Sequence, residues 1–465
     1  MTPRPHAPRR NSIEINPLFA RPGEATERPR FALSDEPMLP ETAYQVVHDE
    51  AMLDGNARLN LATFVGTWMD PAASRLYGES FDKNMIDKDE YRATAAIEDR
   101  CWKILARLWN APEPHAAIGT STIGSSEACM LGGLAFKRRW QQARKAAGRP
   151  ADRPNIVMSS AVQVCWEKFA NYWDVEARMV PVTEEHKTLD GHDLESYVDE
   201  NTIGVVAILG VTYTGMYEPV HKIAAALDRI QEKTGLDVPI HVDGASGAFI
   251  APFLQPELEW DFRLDRVHSI STSAHKYGLV YPGLGWVIWR SAEYLPSDLV
   301  FDVSYLGGSM PTFALNFSRP GAQVLLQYYN FLRLGHSGYR AVQRASHDVA
   351  WHLADEVDKM APFELWGNEG PHIPVFAWRL KAGYTDKWDL YDLGNQLRQQ
   401  GWLVPAYPMP DNLSDLTVQR VVVRNGLSMD LADELLDAIT AAVRYLDGLD
   451  GPLPHERRDT VAFHH

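Results

Sequence analysis

Short β-rich runs alternate with amphipathic helical stripes along most of this chain, and that alternation limits the folds open to it. We expect strands at 155–159, 202–210, 238–243, 267–272 and 285–289. Helical stripes occupy 126–147 and 219–235, and the second repeats apolar residues such as Ile223, Leu227 and Ile230 at helical spacing. Strands that alternate with helices predict an α/β fold with a mainly parallel sheet.

The length and the changes of pattern along the chain predict a large domain with a smaller companion. A chain of 465 residues exceeds what a single hydrophobic core usually supports. Near the start, prolines among arginines oppose a long helix. The predicted organisation is an N-terminal arm at 1–60, a large domain at 61–345, a small C-terminal α+β domain at 346–450 with strands at 375–380 and 418–423, and a tail at 451–465.

Composition excludes several classes of partner. A formal net charge of −16 repels nucleic-acid backbones and anionic membrane surfaces, so we predict no nucleic-acid partner and no stable membrane association. The apolar runs are too short to span a bilayer, and the start lacks the apolar stretch of a secretory signal. Cys101, Cys129 and Cys165 are far apart in sequence, which is typical of a reducing compartment. We therefore expect a soluble, cytoplasmic protein with no metal site and no disulfide framework.

The sequence Gly124-Ser125-Ser126-Glu127 lies at the start of a predicted helix. Free backbone N–H groups at a helix N-terminus, together with two hydroxyls, suit a phosphate. Simple helix capping by serine explains the same residues, so this motif alone leaves both interpretations open.

Asp243 and Lys276 each follow a β-rich run, where open α/β sheets bind ligands. A carboxylate at 243 suits a protonated pyridine nitrogen, although an Asp-Gly turn explains it equally simply. An amine at 276 with a lowered pKa could form an imine with an aldehyde cofactor, whereas most lysines are merely solvated. The three features together favour a cofactor that carries both an aldehyde and a phosphate.

Three longer strings, at 119–130, 241–247 and 273–278, resemble bacterial glutamate decarboxylases, which belong to the pyridoxal-phosphate-dependent decarboxylases. Shorter matches extend the resemblance from about residue 30 to the C-terminus. It implies fold type I, with a mainly parallel seven-stranded sheet in the large domain. It also implies that Lys276 carries pyridoxal 5'-phosphate as a Schiff base and that L-glutamate is converted to 4-aminobutyrate and CO2. Each turnover would consume one proton. The resemblance therefore suggests a role in acid resistance or in 4-aminobutyrate metabolism.

The resemblance also assigns roles in cofactor binding. Lys276, Asp243 and Gln163 would be the catalytic residues. Phosphate would be held by Ser125, Ser126, Ser273 and His275, and by Ser318 from a neighbouring subunit; Gln163 and Ala245 would face the two sides of the ring, and Thr212 would lie near its phenolic oxygen. A site shared between chains implies at least a homodimer and is compatible with a hexamer built as a trimer of dimers. Taken singly, Gln163, Ala245 and Thr212 are ordinary surface, core and strand residues.

Substrate contacts follow from the same resemblance. Arg424 would bind the α-carboxylate, with Arg420 as the neighbouring alternative. The distal carboxylate would meet Thr63 and Phe64, with Asn84 and Asp87 supplied across the dimer. A carboxylate at 87 would share a proton with the substrate and favour binding in acid. Helix capping by Asn84 and Asp87 remains the alternative.

The chain ends in His464 and His465, and the resembled enzymes place a histidine there that blocks the site at neutral pH. Protonation of the imidazole would release that block in acid. A mobile tail or a tag remnant explains the same residues. The proline-rich start differs from the assembly helix of the acid-responsive relatives.

Three other interpretations compete with glutamate decarboxylation. A decarboxylase of another amino acid would share the cofactor residues and differ only in the pocket. An aminotransferase would use the same cofactor with another outcome. A non-catalytic relative would be expected to lack Lys276 or Asp243, and both residues are present.

Overall fold

A computed structural model describes residues 31–33, 37–303 and 310–453. The chain divides into two compact units, Met1–Asn56 and Ala57–His465. In the first unit, helix α1 (Pro40–Ala51) begins with proline at a position where no intrahelical N–H bond is lost, and it buries none of its residues. The remaining description concerns the second unit.

A seven-stranded sheet forms the centre of the second unit. Its strands are β1 (Ile118–Thr122), β2 (Asn155–Ser159), β3 (Glu176–Val180), β4 (Thr202–Ile208), β5 (Ile240–Asp243), β6 (Val267–Ser273) and β7 (Gly285–Trp289). Their order is β1-β7-β6-β5-β4-β2-β3, and β7 alone runs antiparallel to its neighbours. Strands β2, β4 and β5 are buried along their whole length, as expected of a parallel sheet covered on both faces. The predicted mainly parallel, seven-stranded sheet is confirmed.

Helices cover this sheet because their apolar stripes face it. Helix α4 packs across β4, β5, β6 and β7, while α3 packs on β1. Ile223, Leu227 and Ile230 of α6 are buried in the main core, as their spacing predicts. The helices of this unit, within the described residues, are α2 (Pro71–Gly78), α3 (Arg92–Leu108), α4 (Ser125–Ala146), α5 (Val164–Tyr172), α6 (Val220–Thr234), α7 (Ala251–Leu254), α8 (Ala322–Lys359), α9 (Leu390–Gln399) and α10 (Met429–Asp447).

Two smaller sheets and several short turns complete the unit. β8 (Phe301–Val303) pairs with β9 (Met310–Thr312). A four-stranded antiparallel sheet has the order β10-β11-β13-β12, formed by β10 (Phe363–Trp366), β11 (Val375–Leu380), β12 (Ala406–Pro408) and β13 (Thr417–Val422). Short 3-10 helices lie at Ala57–Leu59, Leu194–Ser196, Gly247–Phe249, Ala292–Tyr294 and Ser297–Leu299.

The four-stranded sheet packs with α8, α9 and α10 around a second hydrophobic core, so the small C-terminal α+β part has the predicted architecture. The predicted boundary between residues 345 and 346 falls inside α8. This helix continues past a kink at Gly335, whose φ of 55° lies in the left-handed region that glycine tolerates. The predicted end of the arm at residue 60 lies four residues beyond the division at Asn56.

The topology brings the carboxyl ends of the parallel strands to one edge of the large sheet. Ser159, Ile208, Asp243 and Ser273 end β2, β4, β5 and β6, so the segments that follow them converge. Gly285, at the start of β7, allows the close approach of the α4 N-terminus to this edge, since a Cβ there would lie 2.4 Å from the Gly124 carbonyl carbon. Over the described part of the chain, no helix combines the length and the apolar character needed to cross a bilayer.

Candidate active site

A cavity of about 600 Å³ opens at this edge of the sheet. Its walls come from the segments that follow the strand ends and from the N-terminus of α4. The structure brings nine of the residues proposed for cofactor binding into this cavity: Ser125, Ser126, Gln163, Thr212, Asp243, Ala245, Ser273, His275 and Lys276.

The groups around the N-terminus of α4 suit an anion. Helix α4 begins at Ser125, and no side chain among the described residues caps its first turn, so its N–H groups point to the cavity edge. Ser273 Oγ donates to Ser125 Oγ at 2.6 Å, which places two hydroxyls together. His275 Nδ1 accepts the Leu284 N–H at 3.3 Å. Burial lowers the pKa of His275 to about 4, with the Lys276 charge adding to the effect, so the neutral imidazole keeps an Nε2–H donor.

Elsewhere in the cavity lining, Asp243 is held by two donors. The indole N–H of Trp166 donates to Asp243 Oδ2 at 2.9 Å, and the backbone N–H of Ala245 donates to Oδ1 at 3.1 Å. Asp243 is 3% exposed and Trp166 is fully buried, so the carboxylate has one fixed orientation. Trp166 lies in the first turn of α5, just after Gln163, whose side chain caps that helix by accepting the Cys165 N–H at 2.6 Å.

Lys276 lies near Asp243 and beside the aromatic ring of Phe64. Its Nζ donates to Ser246 Oγ at 3.3 Å and lies 5.1 Å from the centre of the Phe64 ring. Burial lowers the pKa of Lys276, while the nearby Asp243 charge opposes that shift. An amine with a lowered pKa is more readily present as the nucleophilic free base.

Arg420, rather than Arg424, is the guanidinium beside Lys276. Arg420 lies 4.9 Å from the centre of the Phe64 ring and donates to the carbonyl oxygens of Thr212 and Ala62. The sequence favoured Arg424 for the α-carboxylate, and that assignment stays a prediction.

Arg424 is occupied elsewhere. It donates to the carbonyl oxygens of Ala57 and Asn60 at 2.7 Å each, and to Thr67 Oγ1 at 3.0 Å. Of these partners, Ala57 and Thr67 line a separate cavity of about 420 Å³, together with Arg424 itself and Arg58. The Arg424 side chain therefore ties the segment that begins at Ala57 to the end of β13.

Asn84 and Ser318 lie together, away from the cavity lining. Asn84 Nδ2 donates to Ser318 Oγ at 3.3 Å, and Asn84 Oδ1 accepts the Arg319 N–H. Asp87 Oδ1 accepts the Glu90 N–H at 3.1 Å, which agrees with the capping alternative for this residue. Thr63 Oγ1 accepts the Val65 N–H at 3.3 Å within its own turn. Within one protomer, these side chains therefore form hydrogen bonds with groups of the same chain.

Residues His464 and His465 lie outside the described residues, so their predicted role stays a prediction. Two side chains of the site were not singled out from the sequence, namely Trp166 and Ser246. A buried tryptophan needs an acceptor for its N–H, which is the general signal for Trp166. That signal does not name the acceptor, which lies 77 residues away in sequence.

Comparison with known proteins gives the family. A family profile described as the pyridoxal-dependent decarboxylase conserved domain matches residues 33–381. The chain belongs to the pyridoxal-dependent decarboxylase family. It is 47% identical over 453 residues to a glutamate decarboxylase of Aliivibrio fischeri, covering 97% of each chain. It is 49% identical to a probable glutamate decarboxylase gamma of Listeria monocytogenes, again over 97% of each chain.

Solved structures agree with this membership. A glutamate decarboxylase of Lactobacillus brevis superposes with a TM-score of 0.88 at 48% identity, covering 92% of this chain and 97% of that one. A sphingosine-1-phosphate lyase of Burkholderia pseudomallei, at 21% identity, shares the fold with a TM-score of 0.76 over 92% and 95% of the two chains. This member of the family is a pyridoxal-phosphate-dependent carboxy-lyase.

The residues of the cavity fit pyridoxal 5'-phosphate. The cofactor has a phosphate, a basic ring nitrogen and an aldehyde. The cavity offers an anion site at Ser125 and Ser273, a fixed carboxylate at Asp243 and an amine at Lys276 with a lowered pKa. These are the three complementary groups that the cofactor requires.

Proposed function

We propose that this enzyme removes the α-carboxylate of L-glutamate as CO2, and that one proton is taken up to give 4-aminobutyrate. The observation that carries the proposal is the placement of Lys276, which lines the cavity with Asp243, and Arg420 at the same ring of Phe64. An amine and a carboxylate-binding guanidinium are thereby side by side. Relatives named as glutamate decarboxylases, at 47% and 49% identity over nearly the whole chain, support glutamate as the substrate.

In this proposal Lys276 holds the cofactor covalently, Asp243 pairs with its ring nitrogen, and the α4 N-terminus with Ser125, Ser126, Ser273 and His275 holds its phosphate. Gln163 and Ala245 enclose the ring, and Thr212 lies beside its oxygen. When bound, the cofactor accepts the electrons released as the bond from Cα to the carboxylate breaks. The protein's part is to hold that bond in the right direction and to exclude water from the cavity.

Arg420 takes the part that the sequence had given to Arg424. Its planar fork suits bidentate binding of the α-carboxylate, and its donors to Thr212 and Ala62 fix its position beside Lys276. A carboxylate would have to replace one of these carbonyl acceptors. Tight binding of the α-carboxylate stabilises the bound substrate as well as the transition state. Arg420 would therefore accelerate the reaction by orienting the substrate rather than by raising its affinity.

The distal carboxylate of glutamate would meet Thr63 and Phe64, with Asn84, Asp87 and Ser318 contributed by a second protomer. The hydrogen bond from Asn84 to Ser318 supports this shared role because it places both side chains on one surface, outside their own cavity lining. A homodimer is then the smallest active form, and a trimer of such dimers is compatible with it. A proton shared between Asp87 and the substrate carboxylate would favour substrate binding at acidic pH. The Asp87 carboxylate also accepts the Glu90 N–H, so it has a structural role in its own chain.

A proton-consuming decarboxylase suits acid resistance or 4-aminobutyrate metabolism in the cytoplasm, and we extend the proposal to that setting. Within it, His465, with His464 beside it, would block the site at neutral pH and release it on protonation. Removing residues 463–465 should then raise the rate near neutral pH. An unchanged rate would remove the histidine block from the proposal.

The test is direct assay of the purified full-length protein, loaded with pyridoxal 5'-phosphate and given L-glutamate. The expected result is stoichiometric 4-aminobutyrate and CO2, absent in Lys276→Ala. Lys222→Ala, which changes an exposed lysine on α6, is the matched control and should keep full activity. Formation of a 2-oxo acid without CO2 would indicate an aminotransferase. Faster turnover of aspartate, diaminobutyrate or an aromatic amino acid would overturn the substrate assignment.

A further inference from the structure

Two of the three cysteines converge on Asp243. One donor atom each from Cys129, Cys165 and Asp243 lies within 4.8 Å of the others, and all three residues are buried. Cys129 is in the first turns of α4 and Cys165 in the first turn of α5, so the fold joins residues that are far apart in sequence. The sequence had predicted no cysteine-based metal site because their spacing shows no paired motif.

We infer that Cys129, Cys165 and Asp243 bind a thiophilic divalent cation such as Zn²⁺ or Cd²⁺ when the cofactor is absent. Thiolates and carboxylates are preferred ligands of such ions, at about 2.3 Å for sulfur and about 2.0–2.2 Å for oxygen. Tetrahedral coordination at these lengths needs donor separations of about 3.5–3.8 Å, so the three donor atoms, which lie within 4.8 Å of one another, need to approach by about 1.3 Å at most. The fourth position would face the cavity and take water.

The Asp243 carboxylate has capacity for a cation in addition to its present partners. It accepts one N–H from Trp166 and one from Ala245, whereas a carboxylate offers about four acceptor positions. Cys129 Sγ also lies 3.3 Å from Ser271 Oγ, which can support a thiolate by donating its hydroxyl proton. Asp243 and Cys129 therefore each have a hydrogen-bonding partner outside the three proposed ligands.

Charge balance is the second argument. Burial raises the pKa of the Cys129 thiol well above its usual range. Cation binding would release both thiol protons to solvent and leave two thiolates and one carboxylate. A divalent cation would neutralise two of those three negative charges, and the Lys276 amine lies close to the same three groups.

The route to this site runs through the cofactor cavity. Cys165 and Asp243 line that cavity, and Cys129, which is fully buried, lies within 4.8 Å of both. A bound cofactor would close the route and occupy Asp243, so the cation and the cofactor should exclude one another. This exclusion rests on the proposed pairing of Asp243 with the cofactor ring, whereas cation binding itself does not depend on the decarboxylation reaction.

The experiment titrates Cd²⁺ into the full-length protein in two forms, loaded with cofactor and stripped of it. We expect the stripped form to gain thiolate-to-cadmium ultraviolet absorption that saturates at one ion per chain, and the loaded form to gain none. Cys129→Ser and Cys165→Ser should each weaken binding at least tenfold. Cys101→Ser is the matched control, because this third buried cysteine lies elsewhere, against the Val324 carbonyl oxygen. Cd²⁺ should also slow reloading of the cofactor.

Absence of the absorption in the stripped wild-type protein would overturn the inference without any variant, and so would equal absorption in both forms. Loss of the signal in Cys101→Ser alone would place the ion elsewhere. The two proposals can fail separately. An enzyme that decarboxylates glutamate but binds no Cd²⁺ refutes only the cation site, and one that binds Cd²⁺ but yields no 4-aminobutyrate refutes only the proposed reaction.

Discussion

The indole N–H of Trp166 donates to Asp243 Oδ2 at 2.9 Å, and both side chains are buried. Trp166→Phe keeps the aromatic packing and removes this donor. A hydrogen bond to a charged group contributes about 1.5–3 kcal/mol, so kcat should fall about 10- to 100-fold. The KM for glutamate should change little, because Trp166 acts on substrate only through Asp243. Steady-state kinetics and cofactor titration would measure both effects.

Trp173→Phe is the matched control for that change. Trp173 ends the same helix and stacks on Phe169 with ring centres 5.7 Å apart, away from Asp243. It should leave kcat and cofactor affinity near their wild-type values. Equal losses of kcat in the two variants would show that the tryptophans act through packing of α5 and not through the Asp243 carboxylate.

Arg420, within β13, and Arg424, two residues beyond its end, should differ in what is lost when each is replaced. Arg420→Lys keeps the charge and loses the planar fork, and we expect kcat/KM for glutamate to fall about 100-fold, on the order of 3 kcal/mol. Arg424→Gln removes a buried anchor to Ala57, Asn60 and Thr67, and should lower the melting temperature by several degrees. Its effect on kcat/KM should be smaller than that of Arg420→Lys.

Kinetics and thermal melts on both variants distinguish the assignments. A larger loss of kcat/KM in Arg424→Gln, with unchanged stability, would restore the role that the sequence had given to Arg424. Refolding yield and circular dichroism at 25 °C would show that each variant is folded before its kinetics are compared.

Local sequence patterns predicted much of the fold. The strands at Asn155–Ser159 and Gly285–Trp289 agree with prediction to the residue, because short, fully buried apolar runs have few alternatives. Helix α4 begins one residue before its predicted start. The convergence of Ser125, Asp243 and Lys276 also follows from local signals, since each follows a strand that ends at the same sheet edge.

Non-local partners could not be predicted in the same way. Arg420 and Arg424 are four residues apart and chemically identical, and only the groups opposite them distinguish their surroundings. The carbonyl oxygens of Ala62, Ala57 and Asn60 lie more than 350 positions earlier in the chain, and that of Thr212 lies 208 positions before Arg420. The meeting of Cys129 with Cys165 likewise depends on how α4 and α5 pack, which spacing along the sequence does not reveal.

The proposed sharing of sites between protomers predicts a specific result for mixed dimers. Lys276→Ala and Asn84→Ala chains should each be impaired alone. When they are mixed, a hybrid dimer has one site with an intact lysine and an intact Asn84 from the other chain. Random mixing should restore about a quarter of wild-type activity, because half of the dimers are hybrids with one intact site of two.

The mixed-dimer experiment needs unfolding and refolding of the combined chains, or their co-expression with two tags. If Asn84 served its own chain's cavity, the mixture would show no more activity than the average of the two separate variants. Ser318→Ala in place of Asn84→Ala repeats the test for the residue to which Asn84 donates.

Histidine 241 predicts a loss of stability in acid. The ring is fully buried, with Nδ1 2.7 Å from Ser269 Oγ and Nε2 3.0 Å from Ser271 Oγ, and burial lowers the pKa of His241 from 6.5 to about 4. The fold thus favours the neutral ring, so its contribution is present above pH 6.5 and is lost as pH falls through about 4. Between about pH 7 and about pH 4.5 the free energy of unfolding should fall by about 2–3 kcal/mol.

Urea unfolding at both pH values should therefore show a smaller pH-dependent loss of stability in His241→Gln than in wild type. His221→Gln, which changes an exposed histidine, is the control and should match wild type. An equal loss in wild type and His241→Gln would mean that the acid sensitivity originates in other groups.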